Sequence, residues 1–437
     1  MLKQVGYWPI WAGVWAGLAA WVSVEAVIYT IPAFLFFSLK WIGNDQLIAR
    51  QAAQFSLSWL LVSLFAVTLE TPSQLLDSTM TDRLSGMHLL AQFLCLLVWM
   101  VLHQIGQRCQ AKAILRTITL SILGITSLTI LYYACPLLFQ GPYGGVDEEL
   151  KTYWLGQVAE VQPLGHDFFS SLKKSIVWVF PLYLGIGYTL SKFTHWKKWF
   201  RQDQVQLLGI YLLFMTPLSF MQIRWSVYSE FLWSVPAAIA LSEALTYIKT
   251  SIKPPWKRLA RISTILFFCG GGLIIFLVMN LIEAKPDSTE NDNPSESMSN
   301  SRPQDLCQFL TNTSASPKTI LARLELGPEI LYRTHHRVIA TPYHRNAEGV
   351  LFLRETMISE DFEDTRESLS SRGVDWIVLQ PSSKEHVLYR GHDPEKSFYQ
   401  ALKDDLPPDW LAPVQLPEDL QGQYKLYQVS VPPKNSP

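Results

Sequence analysis

The residues best suited to chemistry sit in a few polar stretches of an otherwise apolar sequence. The longest runs from Gln140 to Leu172. It opens on Gly141-Pro142-Tyr143-Gly144-Gly145, a turn-forming string, and continues through Asp147, Glu148 and Glu149 to Val158-Ala159-Glu160-Val161-Gln162-Pro163. Carboxylates on a long loop between apolar runs can orient an acceptor or hold a cation, or can form a solvated acidic face. A second stretch, Gln222-Ile223-Arg224-Trp225 with Tyr228 close behind, sets a guanidinium among aromatic rings. Such a group suits a lipid-linked phosphate held bidentately, or an anchor in an interfacial aromatic belt. A third places Asp82 and Arg83 ahead of His88. Asp82, Arg83 and Asp147 are candidate contacts for an acceptor or a divalent metal, Mg or Mn, with a local ion pair as the other reading of Asp82 and Arg83. Glu25 lies within an apolar run, where an ionisable group faces a cavity or a partner, or sits near the interface.

The elements that position these groups follow from composition. Of 437 residues, 49% are hydrophobic and 17% charged, against roughly a quarter charged in soluble domains. A spanning helix needs about 20 mainly apolar residues, and candidate runs centre on residues 11–39, 55–69, 87–102, 115–139, 176–190, 205–221, 231–248 and 262–282. About eight spans are expected. Loops after the first, third, fifth and seventh carry Lys40 and Arg50, Arg108, Lys112 and Arg116, Lys192, Lys197, Lys198 and Arg201, then Lys249, Lys253, Lys257, Arg258 and Arg261. Alternate loops hold Glu70, Asp77, Asp82, Asp147, Glu148, Glu149 and Glu160. The positive-inside rule puts the basic set in the cytoplasm. The outer loops are residues 69–86, 140–174 and 222–229.

Residues 1–284 thus read as a transmembrane domain, 285–303 as a flexible Ser/Asn/Pro-rich linker, and 304–437 as a soluble extracytoplasmic domain. The soluble part alternates strand-like runs (319–324, 338–341, 374–379, 424–429) with helical patterns (303–310, 360–371, 395–402). The expected fold is an α-helical polytopic membrane domain followed by a small α/β domain, in a bacterial inner membrane. Net charge is −1, which gives no reason to expect a nucleic-acid partner, and there is no P-loop, G-x-G-x-x-G, Gly-x-Ser-x-Gly or C-x-x-C spacing. The histidines of the soluble part, His335, His336, His344, His386 and His392, lack metal-ligand spacing. No signal-peptide pattern opens the chain. Because the first span must run from outside to inside, the chain looks like the back part of something longer.

Val-Ala-Glu-x-Gln-Pro around Glu160, on an outer connection, resembles the Ser-Val-Ser-Glu-His-Gln-Pro stretch of oligosaccharyltransferase catalytic subunits. These are GT-C type membrane enzymes that take sugars from polyprenyl-phosphate lipids. Further pieces look like a group of bacterial GT-C-like membrane proteins: Trp21-Val22-Ser23-Val24-Glu25, Asp82-Arg83-Leu84-Ser85, residues 141–163, Leu326 to Thr334 and Ala340 to Asn346. The family fold has about thirteen spans with a C-terminal external domain, so these eight would be its last eight. The resemblance implies that Glu160 lies at the active site on the fifth external loop. It also implies that a basic residue, Arg224, lies near the donor phosphate with Tyr228. The family's catalytic aspartate and second acidic motif belong to earlier spans, which this sequence does not contain, and its Trp-Trp-Asp-Tyr-Gly acceptor motif is absent. The chain alone is then catalytically dead, or works with a separate polypeptide that carries the missing N-terminal helices.

The expected function is transfer of a sugar from a polyprenyl-phosphate donor to an extracytoplasmic acceptor. The rivals are a non-catalytic scaffold with a partner-binding soluble domain and a transporter of a lipid-linked precursor. Against transport, no inverted repeat or matched pair of broken helices appears.

Overall fold

The computed structural model describes residues 7–43, 45–70, 81–108, 112–141, 146–158, 160–163, 180–192, 202–283, 303–381, 389 and 393–430. The linker expected at 285–303 and the tips of the outer loops at 71–80, 142–145 and 164–174 fall outside these residues, apart from Pro303. The chain divides into two compact units, Met1–Gly145 with Val158–Pro286, and Val146–Gln157 with Asp287–Pro437.

In the membrane unit the first apolar run is broken. Helix α1 (Trp8–Val22) stops at Ser23, whose backbone is extended, and a 3-10 segment, Val24–Tyr29, leads into α2 (Thr30–Ile42). The sequence Val-Ser-Val-Glu places β-branched residues and a serine together, which favours a break over a continued helix. The run is also too long for one bilayer crossing, so the break costs no membrane span. α1 packs on α3 (Gln46–Glu70) through Gly13 and Gly17. A Cβ on Gly13 would lie 2.1 Å from Ser58 Oγ and 2.2 Å from the Phe55 carbonyl oxygen. Small residues four apart are what close helix approach in a membrane requires.

α3 begins ahead of its apolar stretch of 55–69, where Ile48, Ala49 and Ala52 are buried in a core cluster, and Ser56 and Ser58 return their hydroxyls to carbonyls one turn back. Then come α4 (Gly86–Arg108) and α5 (Ala113–Ala134). Phe34, Phe37, Phe55, Trp59 and Trp99 form an aromatic cluster joining α2, α3 and α4. At the other end of α2, buried Arg116 donates to the Trp41 carbonyl at 2.7 Å and stacks on its ring, a favourable place for a cation at a helix C-terminus.

Helix α6 (Glu148–Tyr153) follows α5 in sequence but belongs to the other unit, and the membrane unit continues with α7 (Phe180–Ser191), α8 (Asp203–Met221), α9 (Ser226–Ser251) and α10 (Pro254–Glu283). Among the described residues seven helical stretches are long and apolar enough to cross a membrane. The fifth expected span is described only from Phe180 onward, as α7.

The soluble unit holds α11 (Pro303–Thr313), β1 (Thr319–Ala322), α12 (Leu326–Arg333), β2 (Arg337–Val338), α13 (Ala347–Ile358), α14 (Phe362–Ser371), β3 (Trp376–Leu379), α15 (Phe398–Lys403), β4 (Leu411–Val414) and β5 (Lys425–Val429). The sheet order is β2-β1-β3-β5-β4. β2, β1 and β3 are parallel, whereas β5 runs antiparallel to β3 and to β4, a mixed sheet within the expected helix–strand alternation. β3 is buried at every position, as a strand covered on both faces must be. β4 was not expected from the sequence. It carries Pro413, tolerated at a sheet edge.

Residues Val146–Gln157, expected as part of the membrane domain's outer loop, group with the soluble unit. Leu150 is fully buried, with Val146 and Leu155 nearly so. Arg354 of α13 pairs with Glu149 at 2.7 Å and lies over the Tyr153 ring at 4.3 Å. Burial there pushes the Tyr153 phenol well above its usual pKa, with Arg354 pulling the other way.

Candidate functional site

Two connections of the membrane unit meet at backbone level. The Ile223 N–H donates to the Gln162 carbonyl at 3.0 Å, and the Arg224 N–H donates to the Glu160 carbonyl at 3.1 Å. The loop residues that carry the family-like motif are thereby held against the short 3-10 turn Ile223–Trp225 that precedes α9. The Glu160 side chain stays exposed. Glu160 and Arg224, singled out separately in the sequence, are brought together.

The Arg224 guanidinium is engaged. Its Nη1 lies 2.6 Å from a Glu25 carboxylate oxygen, its Nε donates to Gln222 Oε1 at 2.9 Å, and its plane lies over the Trp225 ring at 5.3 Å. Trp225 Nε1 donates to the same Gln222 oxygen at 3.1 Å. The Arg224 and Glu25 side chains are 19% and 26% exposed, so the pair is partly desolvated and reaches solvent on one side. Glu25 therefore has a partner, and the break between α1 and α2 is what presents it.

The 3-10 segment Val24–Tyr29 separates two cavities. One, of about 400 Å³, is lined by Glu25, Ile28, Thr81, His88, Gln222 and Trp225 among others. The other, of about 640 Å³, is lined by Trp15, Tyr29, Phe36, Phe55, Tyr211 and Tyr228 among others and is almost wholly apolar. The three-residue period of a 3-10 turn explains this. Val24, Glu25, Val27 and Ile28 face the first cavity, whereas Ala26 and Tyr29 face the second. Tyr228 stacks edge-on against Tyr29 at 4.7 Å and sits one helical turn beyond Arg224. Both cavities are thus largely apolar, and the first differs in having Glu25 of the ion pair, Thr81, His88 and Gln222 in its wall.

Asp82 and Arg83 lie just before α4, ahead of His88 in its first turn. Asp147 lies in the other unit, where its carboxylate caps α6 by accepting the Glu149 N–H at 2.8 Å. Among the described residues no three His, Cys, Asp or Glu side chains gather as a metal-binding group. The described residues do not by themselves assemble a set of ligands that fits a divalent metal. Gln222, Tyr29 and His88 complete the arrangement. Proximity to Arg224 could have flagged Gln222. Nothing in the sequence marks Tyr29, whose position depends on the helix break.

Comparison with known proteins bears on the fold. No family model and no curated protein matches the chain. Solved structures do, and the likeness is one of fold: it is shared with a GT-C type membrane enzyme, in keeping with the seven helical stretches among the described residues that are long and apolar enough to cross a membrane. The similar structures are of an oligosaccharyltransferase from Archaeoglobus fulgidus. Its complex with an inhibitory peptide and a dolichol-phosphate is 14% identical over 94% of this chain, with a TM-score of 0.61. The form tethered to an acceptor peptide with an NVT sequon is also 14% identical, over 89%, with a TM-score of 0.58. A complex with Zn and sulfate is 13% identical with a TM-score of 0.53. The chain spans about half the length of these structures, 51%, 49% and 47% respectively.

Proposed function

We propose that this chain binds a polyprenyl-phosphate-linked sugar and serves its transfer to an extracytoplasmic acceptor as part of a GT-C-like glycosyltransferase. The observation that carries the reading is the setting of Arg224, which is ion-paired to Glu25 in the wall of one cavity, lies one helical turn from Tyr228 in the wall of the other, and has its backbone tied to Glu160. The apolar cavity suits a prenyl tail, since burying its isoprenoid carbons removes apolar surface from contact with polar groups. Arg224 takes the phosphate, which a guanidinium holds bidentately, and Tyr228 lines the tail side. When the sugar's anomeric carbon parts from the phosphate oxygen, that oxygen keeps the bonding electron pair. A fixed cation beside it stabilises the developing charge. Glu160, exposed on the same connection, accepts a hydrogen bond from the incoming acceptor group.

The dolichol-phosphate bound to the Archaeoglobus fulgidus enzyme supports the donor class. The alternation of loop charge supports placement in a bacterial inner membrane with the soluble unit outside.

The test is glycosyl transfer from radiolabelled polyprenyl-phosphate sugars in membranes containing the chain, with and without the neighbouring reading frame. Arg224→Gln and Glu160→Ala are expected to abolish transfer. Normal transfer in both variants would remove these residues from the site. Absence of transfer in every membrane, with the protein inserted and folded, would favour a non-catalytic scaffold.

A further inference from the structure

We infer that the cavity of about 400 Å³ is a polyol subsite, which takes the sugar ring of the lipid-linked donor with His88 as one of its hydrogen-bond donors. The inference rests on the reading in which Arg224 holds the donor phosphate.

His88 is 5% exposed, and its Nδ1 receives the backbone N–H of Ser85 at 3.3 Å, with Ser85 Oγ at 3.2 Å. A nitrogen that accepts an N–H carries no proton, so the ring is neutral and its single proton sits on Nε2. Among the described residues that Nε2–H has no hydrogen-bond partner, and His88 lines the cavity. A donor in the wall of a cavity is available to a ligand or water there.

Gln222 is oriented in the same way. Its Oε1 accepts from both Arg224 Nε and Trp225 Nε1, which fixes the amide and leaves its NH₂ end as a donor. Glu25 gives one oxygen to Arg224 and keeps the other as an acceptor. The cavity wall therefore presents oriented donors and a carboxylate acceptor, and Trp225 offers an aromatic face.

That combination selects the ligand class. A phosphate only accepts hydrogen bonds and would meet the Glu25 charge. A hydroxyl both donates and accepts, so a sugar ring can satisfy His88, Gln222 and Glu25 together while its C–H face lies on Trp225. The volume falls within the range of roughly 300–1,000 Å³ usual for small-molecule sites. Since Glu25 belongs to the cavity and to the Arg224 pair, sugar and phosphate would be adjacent, as in the donor.

The experiment compares, on the purified full-length protein in nanodiscs, the affinity for farnesyl phosphate with that for farnesyl-phosphate-linked hexoses, N-acetylhexosamines and pentoses. Wild type is expected to prefer at least one glycosylated lipid over the bare one. His88→Phe should lower that preference about fivefold to tenfold, the worth of one well-made hydrogen bond, with bare-lipid affinity unchanged, and His88→Gln, which keeps a donor, should restore part of it. Arg224→Gln should weaken both lipids. An unchanged preference in His88→Phe, with Arg224→Gln still weakening both lipids, overturns the subsite and leaves the phosphate reading standing. Bare-lipid binding that ignores Arg224→Gln overturns both, as does a protein that binds no prenyl phosphate.

Discussion

Arg224 Nη1 lies 2.6 Å from the carboxylate of Glu25, a residue nearly two hundred positions earlier in the chain, and Glu25 puts a charge into the wall of an otherwise largely apolar cavity. The pairing neutralises two groups that a membrane interior would otherwise penalise. It also means that an incoming phosphate shares or displaces the Glu25 carboxylate.

Glu25→Gln should therefore have opposite effects on two ligands. Removing the competing charge should tighten the binding of a bare prenyl phosphate by about threefold to tenfold, equivalent to about 1 kcal/mol of phosphate–guanidinium interaction released. The preference for a sugar-bearing lipid should fall, because the hydroxyl acceptor is weakened. Titration of the full-length variant with both ligands reads the two affinities. Weaker binding of the bare phosphate would show that Glu25 orients Arg224 instead of competing for it.

Packing of α1 on α3 depends on the missing side chains of Gly13 and Gly17. Gly13→Ala must move backbone, since its new Cβ would press on the Phe55 carbonyl as well as on Ser58. A loss of roughly 1–3 kcal/mol is expected from such overpacking, seen as a lower midpoint of thermal unfolding in detergent. Gly124→Ala on α5, where nothing lies within 4 Å of the added atom, serves as the neutral control.

The soluble unit should lose stability in mild acid through His336. Its Nδ1 accepts from the Lys318 N–H at 3.1 Å and its Nε2 donates to the Leu310 carbonyl at 2.9 Å. Burial holds its pKa below the usual value, with the Leu310 hydrogen bond opposing. The unfolded chain therefore binds more protons than the folded one between the lowered pKa and about 6.5. Stability is full above that value and falls as pH drops through it. Hydrogen exchange at the β1 and β3 amides of the full-length protein, corrected for intrinsic rates, should quicken from pH 7.5 to 5. A flat profile would contradict the assignment.

Leu150 anchors α6 in the soluble unit, and Leu150→Ala should cost about 2–5 kcal/mol there. Arg354→Ala should cost about 1 kcal/mol, since the Glu149 partner is half exposed and the stacking on Tyr153 supplies the rest. Limited proteolysis between Val146 and Gln157 should rise in both variants, more so in the first. Equal protection in all three proteins would mean that the segment is held by other contacts.

Much of this protein was legible in its sequence because each membrane helix must satisfy its own backbone and expose apolar side chains to lipid. Length and hydropathy alone mark the apolar stretches that form α3, α4, α5, α8, α9 and α10 as spans, and the alternation of loop charge orders them. The same local logic marked β1, β3 and β5 as strands and Arg224 as a cation among aromatics. Tertiary structure alone decided where Arg224 points. Its partner Glu25 lies just past a break in an apolar run that the local Val-Ser-Val-Glu sequence favours, but no local pattern links positions so far apart. Tertiary structure likewise took residues 146–157 out of a loop and into the soluble unit, because the burial of Leu150 needs a surface that comes from elsewhere in the chain.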